Sequence, residues 1–346
     1  MKFLKNRIGI TGGAGFVGAS ITKYFVDIFE VKILDVKPPS KDLEKNATYN
    51  YCDVTNYAEV VNGLNDVDLV IHAAIVQIPL INEQKNLGYQ VNVIGTQNIC
   101  QAVDENPRIK GMILAGSWHT VGERELKGKI DEEFGYRPDK VEDRARLYAL
   151  SKIAQESIVR FYDEMSEKGY GIIRQGTILG EGMPAKTAAN IFIEKALKGE
   201  AITPYRHSMY RPMLYAYVSD ICQAFQVYSQ KILCNEIGKN HNSLADIVNV
   251  YYPKPITVLE LAEIVKKSVI ECTNGKVMPK IEIIDNGSPL LFSEEDKNRI
   301  EIDASKTKKF LGLDKLKSPS ESIREIVELR TRTLASRSSS KVEEKS

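Results

Sequence analysis

Thr11-Gly12-Gly13-Ala14-Gly15-Phe16-Val17-Gly18 follows a short apolar strand that begins near Arg7 and opens an apolar helix over residues 16–29. Glycines at 12, 15 and 18 permit a tight turn, close approach of the backbone to a pyrophosphate, and close packing of helix on strand. The helix N-terminus adds open N–H groups and a positive dipole end for phosphates. A chain with this loop is held to a βα unit of the dinucleotide-binding kind. Further strands are expected over 31–34, 69–72 and 112–115 and from 171, with helices between them that include roughly 91–105 and 146–167. Strands alternating with helices imply parallel pairing, so the predicted fold is α/β with a doubly wound parallel (Rossmann) sheet.

Asp35 closes the second strand 17 residues after Gly18. Its carboxylate suits hydrogen bonds from an adenosine ribose 2′-OH and repels a 2′-phosphate, which favours NAD over NADP. Lys37 is the neighbour that pulls the other way.

The length of 346 residues predicts about two domains. Residues 1–180 form the expected dinucleotide-binding domain, with the chain returning to it near 212–253. Residues 181–330 form mainly a smaller C-terminal α/β substrate domain. It includes an amphipathic helix over 257–267 with Thr257 as N-cap, and a last packed helix over 319–330. Loops are expected over 199–212 and 238–246. The tail, 331–346, is rich in Ser, Lys, Arg and Glu and is predicted to be disordered.

The charge balance of 47 basic against 46 acidic residues, net +1, predicts no polyanion-binding surface, so neither nucleic acid nor an acidic membrane is an expected partner. Five scattered cysteines with no C-x-x-C pair argue against a disulfide framework or a zinc site and fit a reducing compartment. His207 and His241 lie near no carboxylate pattern, and no metal is expected. No signal peptide and no run of about 18 apolar residues is visible, so the expected location is cytoplasmic.

Tyr148-Ala149-Leu150-Ser151-Lys152 puts a phenol and an ammonium one helical turn apart on one face. A free phenol titrates near 10 and is a poor base at neutral pH. A neighbouring lysine, together with the positive nicotinamide ring, stabilises the tyrosinate and brings it towards the working range. Ser117 ends an apolar strand 31 residues before Tyr148, at the carboxyl edge of the sheet where open α/β folds bind substrates. A hydroxyl there can hydrogen-bond the reacting oxygen. His72 ends a buried strand and reads as structural, and Asp131-Glu132-Glu133 as a solvated loop.

Taken together, the motifs resemble the extended short-chain dehydrogenase/reductases, the NAD-dependent epimerase/dehydratase family. Thr11 to Gly18 resembles the family's TGxxGxxG loop. Asp53-Val54 is similar to its adenine-contacting pair, and His72-Ala73-Ala74 to its strand-end motif below the nicotinamide. Asn92 to Asn98 resembles its N-x-x-G-T-x-N segment, while Ser117, Tyr148 and Lys152 match its catalytic residues, with Glu156 further along the same helix. Gly180-Glu181-Gly182, Val218-Ser219-Asp220, Asp303-Ala304-Ser305-Lys306 and Leu311-Gly312 extend the likeness almost end to end. The resemblance implies that NAD is held by Gly12, Gly15, Phe16, Val17, Gly18, Asp35, Asp53, Val54, Ala73, Ala74, Asn92, Tyr148 and Lys152. It also implies that Tyr148 is the acid/base, that Lys152 lowers its pKa and holds the nicotinamide ribose, and that Ser117 orients the substrate hydroxyl. A homodimer through the helices near 91–105 and 146–167 is implied as well.

The reaction is less sharply marked. Trp118-His119 follows Ser117 where the family's 4,6-dehydratases carry Asp-Glu and its decarboxylases a Glu, which lowers both. The leading expectation is a nucleotide-sugar epimerase, at C4 of a UDP-sugar. The alternative is a sugar or uronate dehydrogenase, since Ser117-Trp118-His119 resembles the Ser-Asn-His of uronate dehydrogenases. A catalytically silent NAD-binding sensor or scaffold is the third reading. Candidate substrate residues are Ser117, Trp118, His119, Thr177, Arg206 and Arg211. For His119, substrate contact and a loop role stay open. Trp118 inclines towards packing. The two arginines stand in for the family's phosphate-binding arginine, whose position is Met213 here. The segment 205–211 that carries them can equally be a solvated loop.

Overall fold

The computed structural model describes residues 5–237 and 246–343. Seven strands form one parallel sheet: β1 (Arg7–Thr11), β2 (Glu30–Asp35), β3 (Thr48–Tyr51), β4 (Leu69–His72), β5 (Gly111–Ser117), β6 (Gly169–Gln175) and β7 (Ile247–Val250). Their spatial order is β3-β2-β1-β4-β5-β6-β7. The order reverses between β1 and β4, and the crevice at such a reversal is where doubly wound sheets bind ligands.

Alternate strand residues feed two opposite layers, as the twofold strand period requires. On one face Ile8, Ile10, Ile33, Ile71, Ile113 and Val248 pack with Ile21 and Phe25 of the helix Phe16–Phe25 and with Phe225 and Tyr228 of the helix Val218–Leu233. On the other, Leu34, Val70, Met112, Leu114 and Ile172 meet Val60, Ile99, Val103 and Val159 from three further helices. All seven residues of β5 are buried, so its C-terminal Ser117 is held by packing on both faces.

A second core gathers Phe192, Ile193, Leu214, Tyr215, Leu261, Val265, Ile323 and Val327. Trp118, Val121, Leu126 and Ile130 also belong to it, so the segment just after Ser117 packs with C-terminal elements. Three short strand pairs stitch this region together, the last joining Gly128–Ile130 to Ile300–Ile302. The helix Val258–Cys272 starts at Thr257, whose hydroxyl accepts from Glu260 N–H (3.1 Å) while Glu260 accepts from Thr257 N–H (2.8 Å). Such a capping box contributes about 1 kcal/mol.

Some element bounds differ from the expectation. The first helix ends at Phe25 instead of 29, and the segment expected as one helix over 91–105 opens with a π-turn, Gln90–Ile94. The last helix runs from Pro319 to Glu343, past the predicted end at 330 and through most of the tail expected to be disordered. Helix-favouring Arg, Leu, Ala and Lys continue beyond 330, and the Thr331 and Thr333 hydroxyls bond back to Val327 and Leu329 carbonyls, so polarity alone does not stop the helix. Most of the loop expected over 238–246, with His241, and residues 344–346 lie outside the described residues. Among the described residues, no helix is long and apolar enough to cross a membrane.

Candidate active site at the sheet reversal

The glycine loop leaves β1 and turns into the first helix with no room for side chains at Gly12, Gly13 and Gly18. Gly12 has φ +67°, and a Cβ there would lie 2.6 Å from Ala74 N; a Cβ on Gly18 would lie 2.2 Å from Gly12 O. Gly15 differs: a Cβ there would meet only Gly12 O, at 3.3 Å, a tight contact but one without overlap. No side chain caps the helix at Gly15, and the N–H groups of Phe16, Val17 and Gly18 have no intrahelical partner. Asp35 holds the loop from the side, accepting from Ala14 N–H and Lys37 N–H at 3.0 Å each. Open N–H groups, a cradle that a Cβ would fill, and a carboxylate at the end of β2 fit a dinucleotide.

The remaining candidate cofactor residues surround the same crevice. Ala73 N–H donates to Thr11 O (3.1 Å), joining the ends of β1 and β4. The Asp53 Oδ1 atom takes both the N–H and the hydroxyl of Thr55, and Val54 is buried with its carbonyl held by Asn98. Asn92 is fully engaged: Oδ1 accepts from Val76 N–H (2.7 Å), and Nδ2 donates to Val76 O and to the Ser151 hydroxyl. It therefore ties the loop after β4 to the Tyr148 helix and offers the crevice no free polar atom. His72 bridges Thr11 and Thr96 through its two ring nitrogens, and burial lowers its pKa to about 3, so it is a neutral strut.

Tyr148 and Lys152 lie on the helix Asp143–Met165, which packs beside β5 and brings them to Ser117. Lys152 Nζ is 5.9 Å from the Tyr148 ring centre and donates to Ala115 O at 2.7 Å. Burial lowers the lysine to about 7, against an opposing pull from Glu156. Glu156 is itself committed to Arg174 on β6, through contacts of 3.0–3.2 Å between side chains 0% and 1% exposed. Burial pushes Tyr148 up to about 12, while a hydrogen bond with Ser117 pulls it down.

The candidate substrate residues divide. Ser117 faces His119, with Oγ 3.2 Å from Nδ1. The His119 ring stands edge-on to the Tyr148 ring, centres 5.5 Å apart. Trp118 is 1% exposed and belongs to the second core, so it offers no face for a sugar ring; its Nε1 donates to the hydroxyl of the half-buried Thr177 (3.1 Å). Arg206 pairs with Asp285 in a half-exposed loop (2.7 Å). Arg211 is buried against Glu142, with its Nε 3.2 Å from Met213 Sδ.

Sequence reasoning missed the buried charges around His119. Glu123 accepts from Arg144 (2.7 Å) and from Glu142 N–H (2.9 Å), and Glu142 accepts from Arg144 and Arg211. Arg144 lies one turn before Tyr148, so extending the 148–152 face backwards would have found it. Glu123 and Glu142 carry no such periodic signal. Among the described residues, no group of three or more His, Cys, Asp and Glu side chains is placed to hold a metal ion.

Comparison with known proteins agrees with this architecture. Residues 8–241 match the model of the NAD dependent epimerase/dehydratase family. The chain is 28% identical over 270 residues to a putative UDP-glucose 4-epimerase of Methanocaldococcus jannaschii, covering 75% of this chain and 81% of that protein. It is 24% identical to UDP-glucuronic acid decarboxylase 1 of Danio rerio, covering 96% and 76%. The crystal structure of UDP-glucose 4-epimerase from Thermotoga maritima has the same fold, with a TM-score of 0.73 at 19% identity over 95% of this chain and 99% of that one.

Proposed function

The chain belongs to the NAD-dependent epimerase/dehydratase family, and from that premise we propose that it is a C4 epimerase of a UDP-sugar, oxidising a ring hydroxyl and then reducing the ketone from the other face. The observation that carries this is the meeting of Ser117, Tyr148 and Lys152 at the sheet edge beside the glycine loop. The most similar relatives named above include a putative enzyme of that kind.

Bound NAD supplies the hydride acceptor and donor. The chain's own part is to place and protonate. Tyr148 Oη takes the proton of the substrate hydroxyl as the carbonyl forms and returns one as it is reduced. Ser117 Oγ holds the same substrate oxygen in line. Lys152 supplies positive charge below the ring, and the helix N–H groups at Phe16 to Gly18 anchor phosphate. An epimerase of this design, incubated with UDP-glucose or UDP-galactose, interconverts the two without accumulating NADH. Tyr148→Phe is expected to lower turnover at least a thousandfold while NAD still binds; undiminished turnover in that variant sinks the mechanism.

A second reading, an NAD-dependent dehydrogenase of a sugar without a nucleotide, is supported by one feature. Both arginines expected to meet a diphosphate already have carboxylate partners, Asp285 for Arg206 and Glu142 for Arg211. NADH rising in step with oxidation of a free uronate or aldose establishes it. We also propose a homodimer. Leu150, Phe161 and Met165 are 45%, 62% and 73% exposed and fall on one stripe of the helix Asp143–Met165, with exposed Tyr89 on a neighbouring helix.

A further inference from the structure

Glu123 belongs to none of the motifs above, yet its carboxylate is fully buried on the far side of the His119 ring from Ser117. Oε2 accepts from Glu142 N–H and Oε1 from Arg144 Nη2. The same Oε1 stands 3.7 Å from Nε2 of His119, whose other ring nitrogen, Nδ1, is 3.2 Å from Ser117 Oγ. Burial lowers His119 to about 4, so the ring is neutral near pH 7 and carries a single N–H. With the hydrogen on Nε2, a positive edge faces the carboxylate. With it on Nδ1, a lone pair faces a negative charge. At 3.7 Å the pair is longer than a formed hydrogen bond, so the preference arises from the field across a buried gap.

The charged groups facing the ring are Glu123, Glu142, Arg144 and Arg211, two of each sign. Their charges balance overall, which leaves the nearest contact, Glu123 against Nε2, to choose between the tautomers.

We propose that Glu123 is a positioning residue that holds His119 as the Nε2–H tautomer, so that Nδ1 accepts the Ser117 hydroxyl hydrogen and the Ser117 oxygen meets the Tyr148 phenol as an acceptor. The functional consequence rests on the reading of Ser117 and Tyr148 given above. Ser117 has one hydrogen to give. While His119 takes it, the downward pull of a Ser117 hydrogen on the phenol is withheld and the resting Tyr148 keeps its proton; Tyr148 becomes the base when Ser117 turns its hydrogen to it. The opposite tautomer donates to Ser117, releases the Ser117 hydrogen towards the phenol oxygen and favours the tyrosinate.

The test is the nitrogen NMR spectrum of full-length protein labelled at histidine, with His119→Asn to identify the signal. Wild type is expected to show the Nε2–H pattern at His119. In Glu123→Gln, which removes the negative charge facing Nε2, the signal is expected to move towards Nδ1–H. The same variant should move the limb of the kcat–pH profile that reports Tyr148 to lower pH, with KM for the sugar nearly unchanged, since the Ser117 hydrogen then meets the phenol oxygen. A wild-type Nδ1–H pattern, or a Glu123→Gln spectrum unchanged from wild type, overturns the proposal. If Glu123→Gln does not fold, the wild-type pattern decides alone. The spectra need no substrate, so failure of the tautomer assignment is separate from failure of the epimerase reading, which Tyr148→Phe tests.

Discussion

Lys152 donates its ammonium hydrogen to the carbonyl of Ala115, 2.7 Å away and two residues before Ser117 on the same strand. That bond fixes the catalytic helix to β5 and places a buried cation under the site. The cation is uncomfortable there: burial brings its pKa from 10.5 down to about 7. Below about pH 7 the lysine is protonated in both folded and unfolded chains, and the full cost of burying the charge is present. Between about 7 and 10.5 the unfolded chain binds the extra proton, so stability rises with pH across that window. The stability difference between wild type and Lys152→Met, measured by urea unfolding of cofactor-free protein, should move in favour of wild type as pH increases from 7 to 10. A pH-independent difference contradicts the depressed lysine.

The glycines of the loop should separate folding from cofactor binding. Gly18→Ala drives a Cβ to 2.2 Å from Gly12 O, a contact that requires the backbone to move. A loss of about 1–3 kcal/mol is expected, seen as a lower Tm without cofactor. Gly15→Ala meets only Gly12 O, at 3.3 Å, which a shift of a few tenths of an ångström relieves, and should lower the cofactor-free Tm much less than Gly18→Ala. The methyl would occupy the space needed by pyrophosphate, so NAD affinity, read by fluorescence titration, should fall at least tenfold. Equal effects of both substitutions on Tm would argue against this division.

How much of the site could be read from the sequence follows from how far apart its partners lie along the chain. Tyr148 and Lys152 were legible because helix geometry fixes residues four apart on one face, and Gly12 to Gly18 because strand, turn and helix are contiguous. Arg211 and Glu142 are 69 residues apart, and nothing local joins them; only the packing of the 205–211 segment against the start of the Tyr148 helix does. Trp118 sits beside Ser117 in sequence, but the turn after β5 aims it into the second core, onto Thr177. Two candidate substrate residues thereby become each other's partners. The fold was easier, since each strand declares itself through apolar runs and each turn through glycine.

The exposed stripe on the helix Asp143–Met165 gives a test of assembly. Phe161→Glu introduces a charge where a partner helix should cover an apolar surface. Light scattering should report a dimer for wild type and a monomer for the variant, with the cofactor-free far-ultraviolet spectrum unchanged. A monomeric wild type rejects the homodimer.

Glu156 and Arg174 supply the last prediction. Both are fully buried, and Glu156 also holds Lys152 up against the effect of burial. Glu156→Gln removes the counter-charge and leaves a guanidinium in the core, at a cost of about 3–5 kcal/mol. Adding Arg174→Met removes the stranded charge, so the double variant should be more stable than Glu156→Gln alone, although Arg174 also donates to Glu132 O (3.1 Å), which then loses that partner. In both variants Lys152 loses its nearby anion and should deprotonate at lower pH than in wild type. The double variant thus separates the two roles of Glu156: stability recovers in part, while the shifted lysine remains in the pH dependence of unfolding. Full recovery of both would mean that Glu156 serves only to neutralise Arg174.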